Sequence, residues 1–192
     1  MSAGPPTSGA AEVDLRARAE RIRVLALDVD GVLTDGGLRF DAQGDAGKTF
    51  SVRDGFGLTL LREVGIELAI ITGRQSGSVR ARAAELGINH VLEGIRDKAK
   101  ALRELAQRCS VDLDAIAYLG DDWPDLTALQ LAGIAGAPAD AEPDVRAHCH
   151  WISSRRGGHG AVREFAEMLL EWRGQRTAAL ARYLEGTGRS AG

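Results

Sequence analysis

Six short apolar runs, separated by helix-like stretches, limit what this chain can fold into. The runs are VLALDV (24–29), ELAIIT (67–72), HVLEG (90–94), AIAYLG (115–120), GIAGA (133–137) and HWIS (150–153). Between them lie GFGLTLLREVG, QSGSVRARAAELG, RDKAKALRELAQRC, DLTALQLA and DAEPDVRAH, and GAVREFAEMLLEWR closes the series. Strands with so few polar positions must be covered on both faces, which a parallel sheet between two helical layers provides. The expected fold is therefore α/β, a doubly wound, Rossmann-like, mostly parallel sheet with helices on both faces. Gly65, Gly87 and Gly133 stand where helix C-terminal caps want glycine.

At 192 residues the chain suits one domain. Residues 1–10 hold too few apolar groups to pack and are expected to be disordered. AEVDLRARAERI (11–22) suits a short amphipathic helix, and residues 11–173 form the expected domain. From Gly174 to residue 192 the sequence reads as an extension of the last helix that ends in a flexible tail. The segment GGLRFDAQGDAGKTFSVRD (36–54) breaks the alternation: Leu38 and Phe40, then Phe50 and Val52, flank a Gly-rich turn. It reads as a projecting β-hairpin. Its GDAGKT mimics a phosphate loop, yet Ala42 stands where that loop needs glycine, and strand-like TFSV follows Lys48–Thr49 where it needs a helix.

In doubly wound folds, ligands sit beyond the carboxyl ends of the strands. Asp28 and Asp30, Thr72, and Asp121 with Asp122 all fall at such ends, and Lys98 opens the helix after HVLEG. Clustered carboxylates repel one another and resist burial unless something compensates them. A hard divalent cation with oxygen ligands does so, and a lysine and a threonine suit the remaining oxygens of a phosphate. Each residue has a plainer reading: Thr72 as a satisfied strand end, Lys98 (or its rival Lys100) as a solvated helix lysine, Asp125 as a helix cap rather than a metal ligand, Trp123 as packing rather than a contact at the site rim. The register GIRDKAKAL favours Lys98 over Lys100.

The charge balance narrows the alternatives. With 24 Lys and Arg against 27 acids the net charge is −3, which implies no general attraction to nucleic acid or anionic membranes. Cys109 and Cys149 share no metal-ligand spacing and read as idle thiols in a reducing compartment. The amino terminus lacks a basic start and an apolar core, and no window approaches a membrane span, so a cytoplasmic location is expected.

DVDGVLTDG, then TGR, then Lys98 and finally GDD together resemble the haloacid dehalogenase superfamily of phosphotransferases. In finer detail, FSVRDGFG, AIITGR, LGI-H and GG-GAVRE resemble its minimal-cap branch, the 3-deoxy-D-manno-octulosonate 8-phosphate phosphatases, over about residues 22–173. The resemblance implies a Mg²⁺-dependent phosphatase that makes a lipopolysaccharide precursor. Asp28 would be the nucleophile and Asp30 the proton donor and acceptor, while Thr72 and Lys98 would hold phosphoryl oxygens. Asp28, the carbonyl of Asp30 and Asp121 would bind Mg²⁺, with Asp122 as a further ligand through water or an orienting group. Arg53 and Arg74 are candidates for a sugar-acid carboxylate. The family also implies a homotetramer whose neighbours help close each site. Two alternatives remain: a nine-carbon, sialic-acid-type 9-phosphate as substrate, or a catalytically silent binding subunit. Dehalogenase chemistry is disfavoured, because it needs no acid two residues after its nucleophile. His159 in GGHGAVRE stands where the branch usually has arginine, which replaces a permanent cation with a titratable ring.

Overall fold

The computed structural model describes residues 9–42, 44–45 and 47–189. Helix α1 (Gly9–Arg21) leads into β1 (Val24–Leu27), followed by the short pair β2 (Phe40–Asp41) and β3 (Gly44–Asp45). Next come α2 (Val52–Glu63), β4 (Glu67–Ile71), α3 (Gly77–Leu86), β5 (His90–Leu92), α4 (Lys98–Cys109) and β6 (Ile116–Leu119). Helix α5 (Leu126–Leu129), β7 (Ile134–Ala137), α6 (Pro143–Ala147), β8 (Trp151–Ile152), α7 (Ala161–Trp172) and α8 (Arg176–Arg189) complete the chain.

The six main strands form one parallel sheet in the order β5-β4-β1-β6-β7-β8. All six apolar runs are strands, each slightly shorter than its run. Alternation along each strand sorts the core into two layers. Leu25, Leu27, Leu68, Ile70 and Leu119 face α1, α2, α3 and α7, whereas Val24, Ala26, Ala69, Ile71 and Tyr118 face α4, α5 and α6. The chain leaves β1 on one side to form β4 and β5, then returns across it to form β6, β7 and β8. The crevice of a doubly wound sheet opens at such a reversal, and β1 stops there, one residue before Asp28.

Three local readings change. The hairpin is confined to four residues: Phe40 pairs with Asp45 and Asp41 with Gly44. The expected second arm ends in a helix, because the Ser51 hydroxyl accepts from the Asp54 amide and starts α2 at Val52. The last helix does not run on through the tail. Gly174 adopts φ +63°, and α8 turns back onto α2, burying Ala179 and setting Tyr183 edge-on to Phe56 at 4.8 Å. Arg182 adds a bond to the Glu63 carbonyl. Of the segment expected to be disordered, Gly9 and Ala10 belong to α1, while residues 1–8 lie outside the described residues.

Asp54 connects distant parts of the fold. Its buried carboxylate accepts from the Gly160 amide at 3.1 Å and the Arg163 amide at 2.8 Å, capping α7 from another helix. Asp54→Ala strands two buried donors and is expected to lower stability by about 2–3 kcal/mol. Urea unfolding checks this.

Candidate active site

The Asp28 amide extends the β1 ladder by donating to the Leu119 carbonyl at 3.0 Å, which fixes the buried carboxylate at the mouth of the crevice. The chain then coils tightly: the amides of Val32, Leu33 and Thr34 all converge on the Val29 carbonyl. Gly31 in this coil has φ +88°, and a Cβ there would lie 2.0 Å from Asp121 Oδ2. Glycine is therefore required if the loops after β1 and β6 are to approach this closely. Behind that coil, a Cβ at Gly157 would meet the Gly31 carbonyl oxygen at 1.7 Å.

Asp28, Asp30, Thr72, Arg74, Lys98 and Asp121 line one cavity of about 390 Å³, together with Asp122 and Asp125. Lys98 is the first residue of α4, whose cap is Asp97, and only 4% of it is exposed. Its ammonium lies 2.8 Å from Asp28 Oδ1 and donates to Asp125 Oδ1 at 2.6 Å. Lys100 instead points outward, 3.9 Å from Glu104. Thr72 is buried, and its hydroxyl accepts from the Arg74 amide at 3.4 Å. Asp30 pairs with Lys48, whose side chain is almost wholly covered, and lies 3.7 Å from Arg74 Nε.

Two members of this constellation go beyond the sequence reading. Lys48 had drawn notice only as part of a false phosphate loop. Asp125 is more than a helix cap: it accepts from the Tyr118 hydroxyl, from Lys98 and from the amides of Asp121 and Asp122. Its side chain makes no capping bond to α5. The signal was the closing aspartate of GDDWPD, four residues after Asp121. Asp122, by contrast, caps the turn at Trp123 through a 2.7 Å bond. Arg53 is exposed on the first turn of α2 and is not among the residues lining the cavity, because the helix begins at Val52 and carries it away. Trp123 is also exposed.

One ammonium serves three neighbouring carboxylates, and the imbalance shows. Burial and the charge of Asp125 push Asp28 up to about 6, although Lys98 pulls the other way. Burial, with Asp28 and Asp125, pushes Asp121 up to about 8. For Lys98, burial favours the neutral amine, but Asp28 and Asp125 prevail and hold it above its ordinary value. Asp121 Oδ1 is buried without a hydrogen-bond partner. One oxygen from each of Asp28, Asp121 and Asp125 lies within 4.8 Å of the others. An orphaned anionic oxygen among clustered carboxylates fits a hard divalent cation.

Both raised carboxyls stand above their unfolded value of 3.8, so the metal-free fold holds extra protons. Their stabilising contribution is present at low pH and is lost as pH rises through about 6 and then about 8. The melting temperature of metal-free protein is expected to fall between about pH 5 and about pH 9. The increase caused by Mg²⁺ should grow over the same interval. Thermal melts with EDTA and with Mg²⁺ test both trends, and a Mg²⁺ effect independent of pH would contradict this account.

Comparison with known proteins agrees with this geometry. Residues 91–165 match the haloacid dehalogenase-like hydrolase family. The chain is 40% identical over 162 residues to the 3-deoxy-D-manno-octulosonate 8-phosphate phosphatase of Escherichia coli BL21-DE3, covering 84% of this chain and 86% of the relative. The Moraxella catarrhalis phosphatase of that name, solved with magnesium, phosphate and the sugar acid, superposes with a TM-score of 0.85 at 40% identity. That match covers 88% of this chain and 98% of the other. The cobalt-bound Haemophilus influenzae phosphatase gives a TM-score of 0.80 at 41% identity, covering 82% and 92%. On these matches, which span most of its length, the chain belongs to the 3-deoxy-D-manno-octulosonate 8-phosphate phosphatase family of the haloacid dehalogenase-like hydrolases.

Proposed function

We propose that this chain hydrolyses 3-deoxy-D-manno-octulosonate 8-phosphate to the free sugar acid and phosphate, a step in making lipopolysaccharide precursors. The observation that carries this reading is the buried Asp28 carboxylate, 2.8 Å from Lys98 and beside the unpartnered oxygen of Asp121. The names of the relatives support the substrate.

In this reading an Asp28 oxygen attacks phosphorus while the bond from phosphorus to the sugar oxygen breaks, leaving an aspartyl-phosphate. Asp30, two residues further on, gives its proton to the departing oxygen. It then takes a proton from the water that attacks phosphorus, which releases phosphate and restores Asp28. Lys98 and Thr72 hold phosphoryl oxygens from the β4 and α4 side of the cavity. Asp28, Asp121 and the Asp30 carbonyl would hold Mg²⁺. When bound, Mg²⁺ supplies the positive charge that lets a phosphate approach an anionic nucleophile. Arg74, at the rim and 54% exposed in its side chain, is placed to meet the carboxylate of the sugar acid.

Residues 11–173 make up the proposed phosphatase domain. The small hairpin takes the place of a cap, and a homotetramer in the cytoplasm completes the site, with Arg53 available to a neighbour. No described helix is long and apolar enough to cross a membrane.

Phosphate release from a panel of sugar phosphates, with Mg²⁺ or EDTA, tests the reading. The expected result is strong preference for the eight-carbon 8-phosphate, lost with EDTA. Preference for a nine-carbon, sialic-acid-type 9-phosphate would keep the chemistry and replace the substrate. Metal-independent release, or none, would overturn the proposal in favour of a silent binding subunit.

A further inference from the structure

At the opposite end of the sheet, Glu67 opens β4 and His90 opens β5. Ala69 pairs with His90 in the ladder, so Glu67, Ala69 and His90 share the face that α4 covers. Helix α4 ends there, at Cys109. His90 Nε2 lies 3.1 Å from Glu67 Oε2 and 3.6 Å from Cys109 Sγ, and one ligand atom from each residue falls within 4.8 Å of the others. The five residues of β4 set this cluster roughly 16 Å of strand away from the catalytic end.

We propose that Glu67, His90 and Cys109 form a second metal site, for a borderline-soft divalent ion of the Zn²⁺ class. Carboxylate oxygen, imidazole nitrogen and thiolate sulfur are the ligand types such an ion takes, and three protein ligands leave a fourth position for water. The catalytic crevice offers oxygen only, so the two sites sort ions by softness: Mg²⁺ at one end of the sheet, a Zn²⁺-like ion at the other. Access is open, since the Glu67 side chain is 56% exposed and a cavity of about 180 Å³ runs beside Glu67, His90, Asn89 and Arg62. Binding releases the thiol proton to water and involves no change of oxidation state. Without metal, burial and then Glu67 push the thiol up to about 11, against the opposing Arg108, which keeps that proton in place until an ion displaces it. Once bound, the ion ties the edge strand β5 to β4 and to the end of α4.

Co²⁺ added to protein saturated with Mg²⁺, under a non-chelating reductant, provides the test. Thiolate bound to Co²⁺ gives a near-ultraviolet charge-transfer band that an all-oxygen site cannot give. The band is expected in the wild type and in Cys149→Ser, and should vanish in Cys109→Ser. His90→Gln should weaken Co²⁺ binding at this site by about tenfold or more. Mg²⁺-dependent phosphatase activity should persist in both variants, which reports folding. If Cys109→Ser does not fold, His90→Gln decides. No band in the wild type, a band that survives Cys109→Ser, or unchanged affinity in His90→Gln would each overturn the site.

Discussion

Asp28→Asn is expected to reduce phosphate release by about 10⁴-fold or more, with Mg²⁺ present and substrate saturating. The amide cannot attack phosphorus, and no other carboxylate can take its position at the end of β1: Asp125 is committed to Lys98 and Tyr118, and Asp30 to Lys48. The same substitution is expected to make the metal-free protein more stable, by about 1–3 kcal/mol near pH 8. Asp28 is held up to about 6 by burial and by Asp125, so its charge is a burden above that pH, and a neutral isostere removes the burden. Near pH 5, where the wild-type carboxyl is mostly protonated, the gain should disappear. Activity loss paired with a pH-dependent gain in melting temperature separates a nucleophile under electrostatic stress from a simple folding residue. A loss of both activity and stability would contradict the assignment.

Lys98→Met should have the opposite effect on stability. It removes the ammonium that contacts Asp28 and Asp125 and leaves buried carboxylates uncompensated. The metal-free protein is expected to lose about 3–5 kcal/mol. Mg²⁺ should recover part of the stability by neutralising the same cluster. Turnover should nevertheless stay about 10²–10³-fold down, because a phosphoryl oxygen loses its donor as charge builds in the transition state. Denaturant melts with and without Mg²⁺, alongside single-turnover rates, distinguish the two effects. Full kinetic recovery with excess Mg²⁺ would show that Lys98 acts only as a counter-ion.

The strands were legible because a buried parallel strand leaves a plain trace: four or five apolar residues in a row, as in Val24–Leu27 and Ile116–Leu119. Asp28, Thr72 and Asp121 could be read because carboxylates and a hydroxyl at the ends of such strands have few other reasons to be there. Lys98 was legible from register. Asp125 was harder, since an aspartate before a short helix looks like a cap. Only the fold shows the Tyr118 hydroxyl and two amides turned toward it. Lys48 was hidden by its place just after the hairpin turn, where an exposed lysine is the ordinary expectation, and only the fold shows it covered and paired with Asp30. Arg53 lies away from the cavity of its own chain, because one hydroxyl, Ser51, begins the helix earlier than the apolar pattern suggests. The direction of α8 had no local signal beyond Gly174; its course depends on the surface α2 presents to it.

The bond from Asp54 to the amides of Gly160 and Arg163, 106 and 109 residues later, bears on how the chain comes off the ribosome. Leu58 and Leu61 on α2 have no exposed surface in the finished fold, and α7 is part of their cover. While translation is still short of α7, the nascent chain carries every proposed catalytic side chain but lacks that cover. Contacts of such long range make closure slow and leave apolar surface open in the interim. Transcripts truncated before the codon for Gly160 would therefore yield chaperone clients and protease substrates, even though their catalytic motifs are complete.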